Sequence, residues 1–293
     1  MSLSELRTRS DLLCIVYGDN PRAKCIELAT FGVHDVVFSH DPKLPTNKFD
    51  HAFYTQNMPL VQKAFSLLED EESRFAYASA IKYRMIGEHG YLYMADYPEY
   101  NHPLVHAEKG DWVIDGGAFD GGTSLSYLSQ VGESGNIFAF EADPESIQKI
   151  KTKLAGLSGG MRDAIVLLEH ALSDRTKTLC FSALGTGSSR AVESGGIEVS
   201  AMSIDDLSLE RCDLISLDVE GAETDVLKGA VNTLTRFRPK LQISIYHTPS
   251  DIFSLPLLIA DMLDNYVYFV GHHDAYHVET DLYAIPRERL KRG

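Results

Sequence analysis

The chain has 293 residues, of which 44% are hydrophobic and 24% are charged, and these values are ordinary for a globular protein. Its 42 acidic and 27 basic residues give a formal net charge of −15, which disfavours nucleic acid as a partner unless a strong basic patch intervenes. No apolar run approaches the roughly 18 residues that a membrane helix needs, the N-terminus lacks a secretory pattern, and four cysteines without CxxC indicate reduced thiols, so we predict a cytoplasmic protein.

The first 110 residues are predicted to form two units. Segment 1–50 contains two apolar runs, LLCIVYG and HDVVFS, on either side of a helical pattern that starts at DNP, and it predicts a small βαβ unit. Its turn lacks the glycines that allow close phosphate approach, so we expect a structural or dimer-forming role. Segment 51–110 is predicted to be a helical lead-in, interrupted near Glu69 to Ser73.

Strands and helices alternate over residues 111–293. The predicted helices cover 122–131, 144–156, 222–235 and 251–264, and strands such as DWVIDGG, NIFAFEADP, AIVLLEHAL and CDLISLDVEG lie between them. This alternation predicts an α/β fold with a largely parallel, doubly wound sheet. The last two strands are joined by GHHDAYHVE, which is too short for a parallel crossover, so we expect an antiparallel terminal strand.

A glycine-rich turn follows the first strand of this sheet. The stretch VIDGGAFDGGTSL places four glycines, from Gly116 to Gly122, where backbone amides can approach a ligand. Glu141 ends the next strand, where a carboxylate can accept two hydrogen bonds from a ribose diol. Nicotinamide and S-adenosylmethionine sites share both features, and a tight bend without a ligand would also explain the glycines.

Asp115 distinguishes between the nicotinamide and S-adenosylmethionine alternatives. Dinucleotide folds usually have glycine at this strand end, because a pyrophosphate must fit there. A carboxylate repels phosphate and suits a ligand that carries an ammonium and a sulfonium. We therefore expect the turn to hold the methionine end of S-adenosylmethionine, with a nicotinamide-dependent oxidoreductase or a noncatalytic cofactor-binding module as alternatives.

Several separated motifs of residues 111–293 together resemble the FkbM family of methyltransferases. They occur in the family's order and spacing: VIDGGAFDGGTS, FAFEADP, EHALSD, LDVEGAE with VLKGA, RPKLQISIYH and TDLYAI. Upstream, LLEDEESRFAYASAIKYR and DYPEYNHPLV resemble its helical lead-in. The resemblance implies a Rossmann-like methyltransferase fold, S-adenosylmethionine as cofactor, mostly O-methylation, and acceptors that range over sugars, lipids and polyketide products. Ser216 departs from the family, whose members commonly have lysine there.

Candidate cofactor-binding residues follow from the turn and from the resemblance. They are Asp115, Gly116, Gly117, Ala118, Gly121, Glu141, Ala142, Leu172, Ser173 and Asp218. The resemblance implies that Leu172 and Ser173 border the adenine. Asp174 could cap its amino group, although formation of the turn SDRTK explains this residue equally well.

Catalysis is assigned to His247, Asp218 and Glu220, which follow two strands of the predicted sheet. We expect His247 to be the base and Asp218 to position the acceptor, because an imidazole titrates near neutrality. We expect no metal, because oxygen-loving cations need more ligands than these motifs supply. Helix capping is the alternative for the carboxylates, above all for Glu223, and a strand-end hydrogen bond is the alternative for His247.

The acceptor is expected to be a small molecule, a sugar or a lipid-linked compound, and not nucleic acid, since the only basic cluster is the tail RERLKRG. Tyr97, Tyr100, Asn101 and His102 are candidates for its pocket, because aromatic rings with polar tips suit sugar faces, although such side chains suit domain interfaces as well. His272 and His273 are expected either to cover the site or to be solvated. A homodimer through the N-terminal unit is compatible with these expectations.

Overall fold

A computed structural model describes residues 51–86, 92–182, 189–192, 195–274 and 277–290, together with the backbone of two strands near the N-terminus. These strands, β1 (Cys14–Val16) and β2 (Val36–Phe38), pair in parallel. The helix predicted between them lies outside the described residues. The division of the chain at residues 50 and 110 stays a prediction.

Eleven further strands are described, and they form two sheets. They are β3 (Trp112–Gly116), β4 (Asn136–Phe140), β5 (Ile165–Leu168), β6 (Ala171–Leu172), β7 (Lys177–Ser182), β8 (Arg190–Ala191), β9 (Ile197–Met202), β10 (Leu214–Leu217), β11 (Lys240–Ser244), β12 (Tyr266–His272) and β13 (Thr280–Pro286). The larger sheet has the order β12–β13–β11–β10–β3–β4–β5. Strand β13 runs antiparallel to both neighbours, and strands β3, β4, β5, β10 and β11 are parallel. The predicted sheet and its antiparallel terminal strand are confirmed.

Nine helices are described. They are α1 (His51–Gln56), α2 (Met58–Phe65), α3 (Glu71–Ile86), α4 (Gly122–Val131), α5 (Pro144–Ala155), α6 (Gly159–Asp163), α7 (Glu223–Lys228), α8 (Val231–Phe237) and α9 (Asp251–Met262). Asp143 caps α5, because its Oδ1 accepts hydrogen bonds from the amides of Glu145 and Ser146 at 2.8 and 3.1 Å. Within the described part of the chain, no helix has the length and apolar character needed to span a bilayer.

Helix α3 packs against β12 on the antiparallel side of the larger sheet, and α1 and α2 pack against α3 and α9. Leu68, between α2 and α3, forms an isolated parallel bridge with Tyr268 of β12. The Tyr54 hydroxyl donates a hydrogen bond to the Pro249 carbonyl at 3.0 Å. Tyr54 and Leu68 are fully buried in the same hydrophobic cluster as Ile243 of β11. The helical lead-in and the sheet therefore share one core.

The smaller sheet, with the order β6–β9–β7–β8, fills the connection between β5 and β10. The prediction of AIVLLEHAL as a single strand is wrong, because the segment divides into β5 of the larger sheet and β6 of the smaller one. The chain turns between them, and the His170 amide donates to the Leu168 carbonyl at 2.8 Å. This turn brings Leu172 and Ser173 back towards the carboxyl ends of the parallel strands.

Candidate functional site

Two cavities meet at the carboxyl edge of the parallel strands. The first, named here the glycine-loop cavity, is lined by residues that include Gly117, Glu141, Ala142, Leu172, Ser173, Lys177 and Phe181. The second, named the carboxylate cavity, has a volume of about 500 Å³ and is lined by residues that include Glu99, Tyr100, Asp115, Ser216, Tyr246, His247 and Glu279. Four residues line both cavities: Gly117, Phe119, Asp218 and Glu220. A ligand in one cavity can therefore react with a ligand in the other.

The turn between β3 and α4 passes directly over the end of β10. Gly117 has φ +87°, and a Cβ there would lie 1.9 Å from the Asp218 carbonyl oxygen. The amides of Gly117 and Ala118 donate to the Phe140 carbonyl at 3.2 and 2.9 Å, which holds the turn against β4. Of the turn residues predicted to bind cofactor, only Gly117 is among those that line the cavities, whereas Gly116, Ala118 and Gly121 shape the turn.

Glu141 follows β4 and borders the glycine-loop cavity. Its Oε2 accepts a hydrogen bond from the Phe119 amide at 2.8 Å, and its Oε1 accepts from the amides of Ala142 and Asp143, also at 2.8 Å. Burial raises the pKa of Glu141, and these amide hydrogen bonds oppose that shift. The side chain is therefore fixed in place beside the cavity.

The smaller sheet supplies one wall of the glycine-loop cavity. Leu172 and Ser173 line it, as the resemblance implies, but the contributions of Lys177 and Phe181 from β7 were not predicted. Asp174 is not among the lining residues and pairs with Lys177 at 2.7 Å and with Arg175 at 2.8 Å. Asp174 thus fits the turn that the sequence offered as its alternative role.

Asp115, the penultimate residue of β3, is almost fully buried and borders the carboxylate cavity. Its Oδ2 accepts a hydrogen bond from the Ser124 hydroxyl of α4 at 2.5 Å. Burial raises the pKa of Asp115 to about 7, the carboxylates of Asp218 and Glu141 act in the same direction, and the Ser124 hydrogen bond opposes them. A cationic ligand beside Asp115 would favour its ionised form.

Asp218 follows β10 and stands where the two cavities join. The Tyr100 hydroxyl donates to its Oδ2 at 2.9 Å, the Tyr246 hydroxyl donates at 3.3 Å, and His247 Nε2 lies 3.1 Å from its Oδ1. Burial alone would raise the pKa of Asp218, but His247 and the two hydroxyls lower it below its ordinary value. The carboxylate is therefore ionised at neutral pH.

His247 lies between carboxylates. Its Nδ1 is 2.9 Å from Glu223 Oε1, and its Nε2 is 3.1 Å from Asp218 and 3.7 Å from Glu220 Oε1. Burial lowers the pKa of the imidazole, but Asp218 and Glu223 outweigh it and hold this pKa well above 6.5. His247 is therefore a cation at neutral pH and accepts a proton only after losing its own. Glu223 also accepts from the Val219 amide at 3.0 Å, but Val219 lies in the turn before α7 and the N-cap residue Ala222 makes no side-chain cap, so this bond holds the turn and is not the helix capping offered as an alternative.

Two further carboxylates reach the carboxylate cavity from segments where no acidic site residue was predicted. One oxygen each of Glu99, Asp218 and Glu279 lies within 4.8 Å of the others. Burial raises the pKa of Glu99 to about 7, and burial together with Glu99 raises that of Glu279 to about 10. The sequence signal for Glu99 is the segment DYPEYNHP, in which Glu99 lies between the acceptor-pocket candidates Tyr97 and Tyr100.

The remaining aromatic and histidine candidates divide between the site and the core. Tyr100 contacts Asp218. The rings of Tyr97 and His102 instead pack edge to face, with their centroids 4.9 Å apart, which fits the alternative role of packing between segments. His272 and His273 are buried, and neither is among the residues that line the two cavities. Both expectations for these two histidines are wrong, because β12 and its following turn bury them and the Tyr283 hydroxyl lies 2.9 Å from His273 Nε2.

Comparisons with known proteins agree with this geometry. A family described as the methyltransferase FkbM domain matches residues 115–270. The 2-O-methyltransferase NoeI of Sinorhizobium fredii (strain NBRC 101917 / NGR234) is 31% identical over 157 residues, which are 45% of this chain and 62% of that protein. This chain therefore spans about three fifths of the length of that curated relative. The crystal structure of methyltransferase FkbM from Methylobacillus flagellatus KT has the same fold, with a TM-score of 0.72 at 20% identity, over 96% of this chain and 76% of that one.

Proposed function

Because the chain belongs to the FkbM methyltransferase family, we propose that it transfers a methyl group from S-adenosylmethionine to a hydroxyl of a small molecule or glycan. The observation that carries this proposal is the junction of the two cavities at Asp218. One cavity has a fixed carboxylate, Glu141, at the strand end that suits a ribose diol. The other has room for an acceptor beside Asp218 and His247.

The described residues fit this cofactor. Glu141 would hold the ribose diol, Leu172 and Phe181 would border the adenine, and Asp115 would attract the ammonium of the methionine end. Asp115 supports the fit because it is a buried carboxylate with a raised pKa that lacks a cationic neighbour among its strongest influences. The same carboxylate disfavours a nicotinamide dinucleotide, whose pyrophosphate it would repel.

Positioning of the acceptor is the main contribution that we assign to the chain. When bound, S-adenosylmethionine supplies an electrophilic methyl group. Asp218, fixed by Tyr100 and Tyr246, accepts the hydrogen bond of the attacking hydroxyl and orients its lone pair. The hydroxyl need not be deprotonated beforehand. As the methyl group exchanges its bond to sulfur for a bond to this oxygen, the proton held at Asp218 passes to His247 in its neutral form, whose Nε2 lies 3.1 Å from Asp218 Oδ1.

The proposal is tested by methyl transfer from isotope-labelled cofactor to a panel of sugars, lipid-linked sugars and polyols, with the modified atom located by NMR. We expect label on oxygen, in keeping with the name of NoeI, a 2-O-methyltransferase. Label on nitrogen or carbon would contradict O-methylation. Cofactor binding without transfer to any acceptor would favour the noncatalytic alternative.

Replacement of Glu141 by alanine is expected to weaken S-adenosylmethionine binding some tens-fold, because charge-assisted hydrogen bonds worth about 2 to 3 kcal/mol are lost. Isothermal titration calorimetry measures the change. Glu145→Ala is the matched control, since Glu145 is an exposed residue four positions away on α5 that lines neither cavity. Unchanged affinity in a folded Glu141→Ala protein, or tight binding of a nicotinamide dinucleotide by the parent, would refute the assignment.

The affinity for S-adenosylmethionine is expected to rise with pH through about 7. Below this pH Asp115 is protonated, as its pKa of about 7 indicates, and a neutral carboxyl attracts the cofactor's ammonium less strongly than a carboxylate does. Calorimetry at several pH values measures the dependence. Asp115→Asn should weaken binding and flatten the profile, whereas Glu99→Gln should keep it, although the pKa of Glu99 is also about 7. A flat profile for the parent would contradict the role of Asp115.

A further inference from the structure

The carboxylate cavity is strongly acidic on the side where an acceptor would lie. The carboxyl groups among its lining residues are Glu99, Asp115, Asp218, Glu220 and Glu279. His247 and His277 are the basic groups among these residues, and His247 is engaged by Asp218 and Glu223. The lining residues include neither lysine nor arginine. An acceptor with a phosphate or carboxylate close to its reacting hydroxyl would therefore be repelled.

Glu99 and Glu279 are the carboxyl groups of this cavity whose charge is least compensated by neighbouring cations. One oxygen of each lies within 4.8 Å of an oxygen of the other, and burial raises the pKa of both carboxyl groups. The Glu99 Oε1 atom is buried and has no hydrogen-bond donor in the described structure. Asp281 is fully buried, is the charged residue that raises the pKa of Glu99 most, and also has one oxygen, Oδ2, without a donor. The pair therefore offers acceptor oxygens, and no cation is among the main influences on the pKa of either carboxyl group.

Building on the function proposed above, we propose that the acceptor carries a protonated amine, which binds between Glu99 and Glu279 while a neighbouring hydroxyl binds at Asp218. An ammonium has several donors for the oxygens of Glu99 and Glu279, and one oxygen of each lies within 4.8 Å of an Asp218 oxygen, so an amine at the pair lies beside a hydroxyl at Asp218. The ammonium favours loss of protons from the two carboxyl groups and compensates the carboxylates that result. The substrate class is an amino sugar or aminocyclitol with an amine close to the methylated hydroxyl.

Other occupants fit the observations less well. A neutral hydroxyl donates one hydrogen bond and leaves the charge of the pair uncompensated. A divalent cation such as Mg²⁺ or Ca²⁺ takes six or more oxygen ligands, yet Asp218 already accepts from Tyr100 and Tyr246 and pairs with His247. Only Glu99 and Glu279 of this group would then remain to bind it, which is a weak set for a hard cation.

The test compares glucosamine with N-acetylglucosamine, which differ in having an ammonium or a neutral amide on the same ring. Binding is measured by NMR titration at pH 6.5, with and without S-adenosylhomocysteine, so that the result does not depend on turnover. We expect glucosamine to bind at least about tenfold more tightly. Calorimetry in two buffers of different ionisation enthalpy should detect proton release from the carboxyl pair when glucosamine binds.

Glu99→Gln and Glu279→Gln should each reduce this preference, and the double variant should abolish it. Glutamine resembles a protonated glutamate in shape, so we expect these variants to fold. Asp261→Asn is the matched control, because it removes an exposed carboxylate of α9 that lines neither cavity, and it should keep the preference.

Equal affinities for the two sugars in the parent, or no binding of either, would overturn the proposal. Binding of Mg²⁺ or Mn²⁺ that is lost in Glu279→Gln would also overturn it and assign the pair to a metal. Methyl transfer to a neutral acceptor in the labelled-cofactor assay would leave O-methylation standing while the amine proposal fails. Conversely, failure to bind S-adenosylmethionine would defeat the proposed function, whereas the sugar titration without S-adenosylhomocysteine would still be decisive for the pair.

Discussion

Alanine in place of His247 is expected to lower turnover by about 10²- to 10⁴-fold while cofactor affinity stays nearly intact. His247 contacts Asp218 on one side and Glu223 on the other, so its loss removes both the proton acceptor and the cation that orients Asp218. The parent's kcat should rise with pH, because the raised pKa of His247 keeps the imidazole protonated at neutral pH and only the neutral form accepts a proton. This rise should disappear in the variant.

Steady-state kinetics across pH, with calorimetry for the cofactor, checks this expectation. His247→Gln serves as a second variant, because its amide can still donate to one carboxylate and helps retain the fold. His51→Ala is the matched control at an exposed position of α1. A parent kcat that is flat with pH would limit His247 to positioning Asp218. Loss of parent activity on exhaustive chelation, with recovery on addition of Mg²⁺ or Mn²⁺, would instead assign this cluster to metal binding.

Gly117→Ala is expected to abolish cofactor binding or to destabilise the fold by about 2 to 5 kcal/mol. A residue with a Cβ at φ +87° is strained by about 1 to 2 kcal/mol, and here the Cβ would lie 1.9 Å from the Asp218 carbonyl oxygen. One of the two backbone segments must then move, at a further cost of about 1 to 3 kcal/mol. Because both segments line the junction of the cavities, this movement disturbs both ligand sites.

Gly195→Ala is the control that distinguishes backbone strain at positive φ from steric overlap of the added Cβ. Gly195 has a similar φ of +84°, but a Cβ there would meet no atom of the described residues within 4 Å. Urea unfolding and calorimetry should show a loss near the strain value for Gly195→Ala and a much larger loss for Gly117→Ala. Similar losses for the two variants would mean that the approach of the turn to Asp218 is unimportant.

Local sequence patterns are sufficient to predict much of the larger sheet and its flanking helices. Helix α4 covers the predicted residues 122–131, and the antiparallel pairing of β12 with β13 follows from the short connection between them. The predicted helix 222–235 is two helices, α7 and α8, separated around Gly229. A Cβ at Gly229 would lie 2.3 Å from the Ser173 carbonyl, so the break depends on contact with a distant segment. Helical periodicity does not contain that information.

In the candidate site, too, some residues follow from local patterns and others depend on contacts between distant segments. Glu141, Asp218 and His247 follow strands of the larger sheet, and a parallel sheet brings such residues to one edge. Glu99 precedes the sheet, and Glu279 lies immediately before the antiparallel strand β13, so their meeting at Asp218 depends on the packing of the lead-in. The cationic state of His247 was missed for a related reason, since it requires the positions of both Asp218 and Glu223.

Because the lead-in and the sheet share one core, a chimera between two members of this family depends on where the exchanged segment begins and ends. The segment that matches the family spans residues 115–270, yet Tyr100 and Glu279 lie outside it on opposite sides. A chimera that exchanges only the matching segment would inherit Glu141 and Asp218 but would retain the host's Tyr100 and Glu279. Under the proposed function, such an exchange would transfer the cofactor-binding residues of the central segment but not these two flanking residues of the carboxylate cavity.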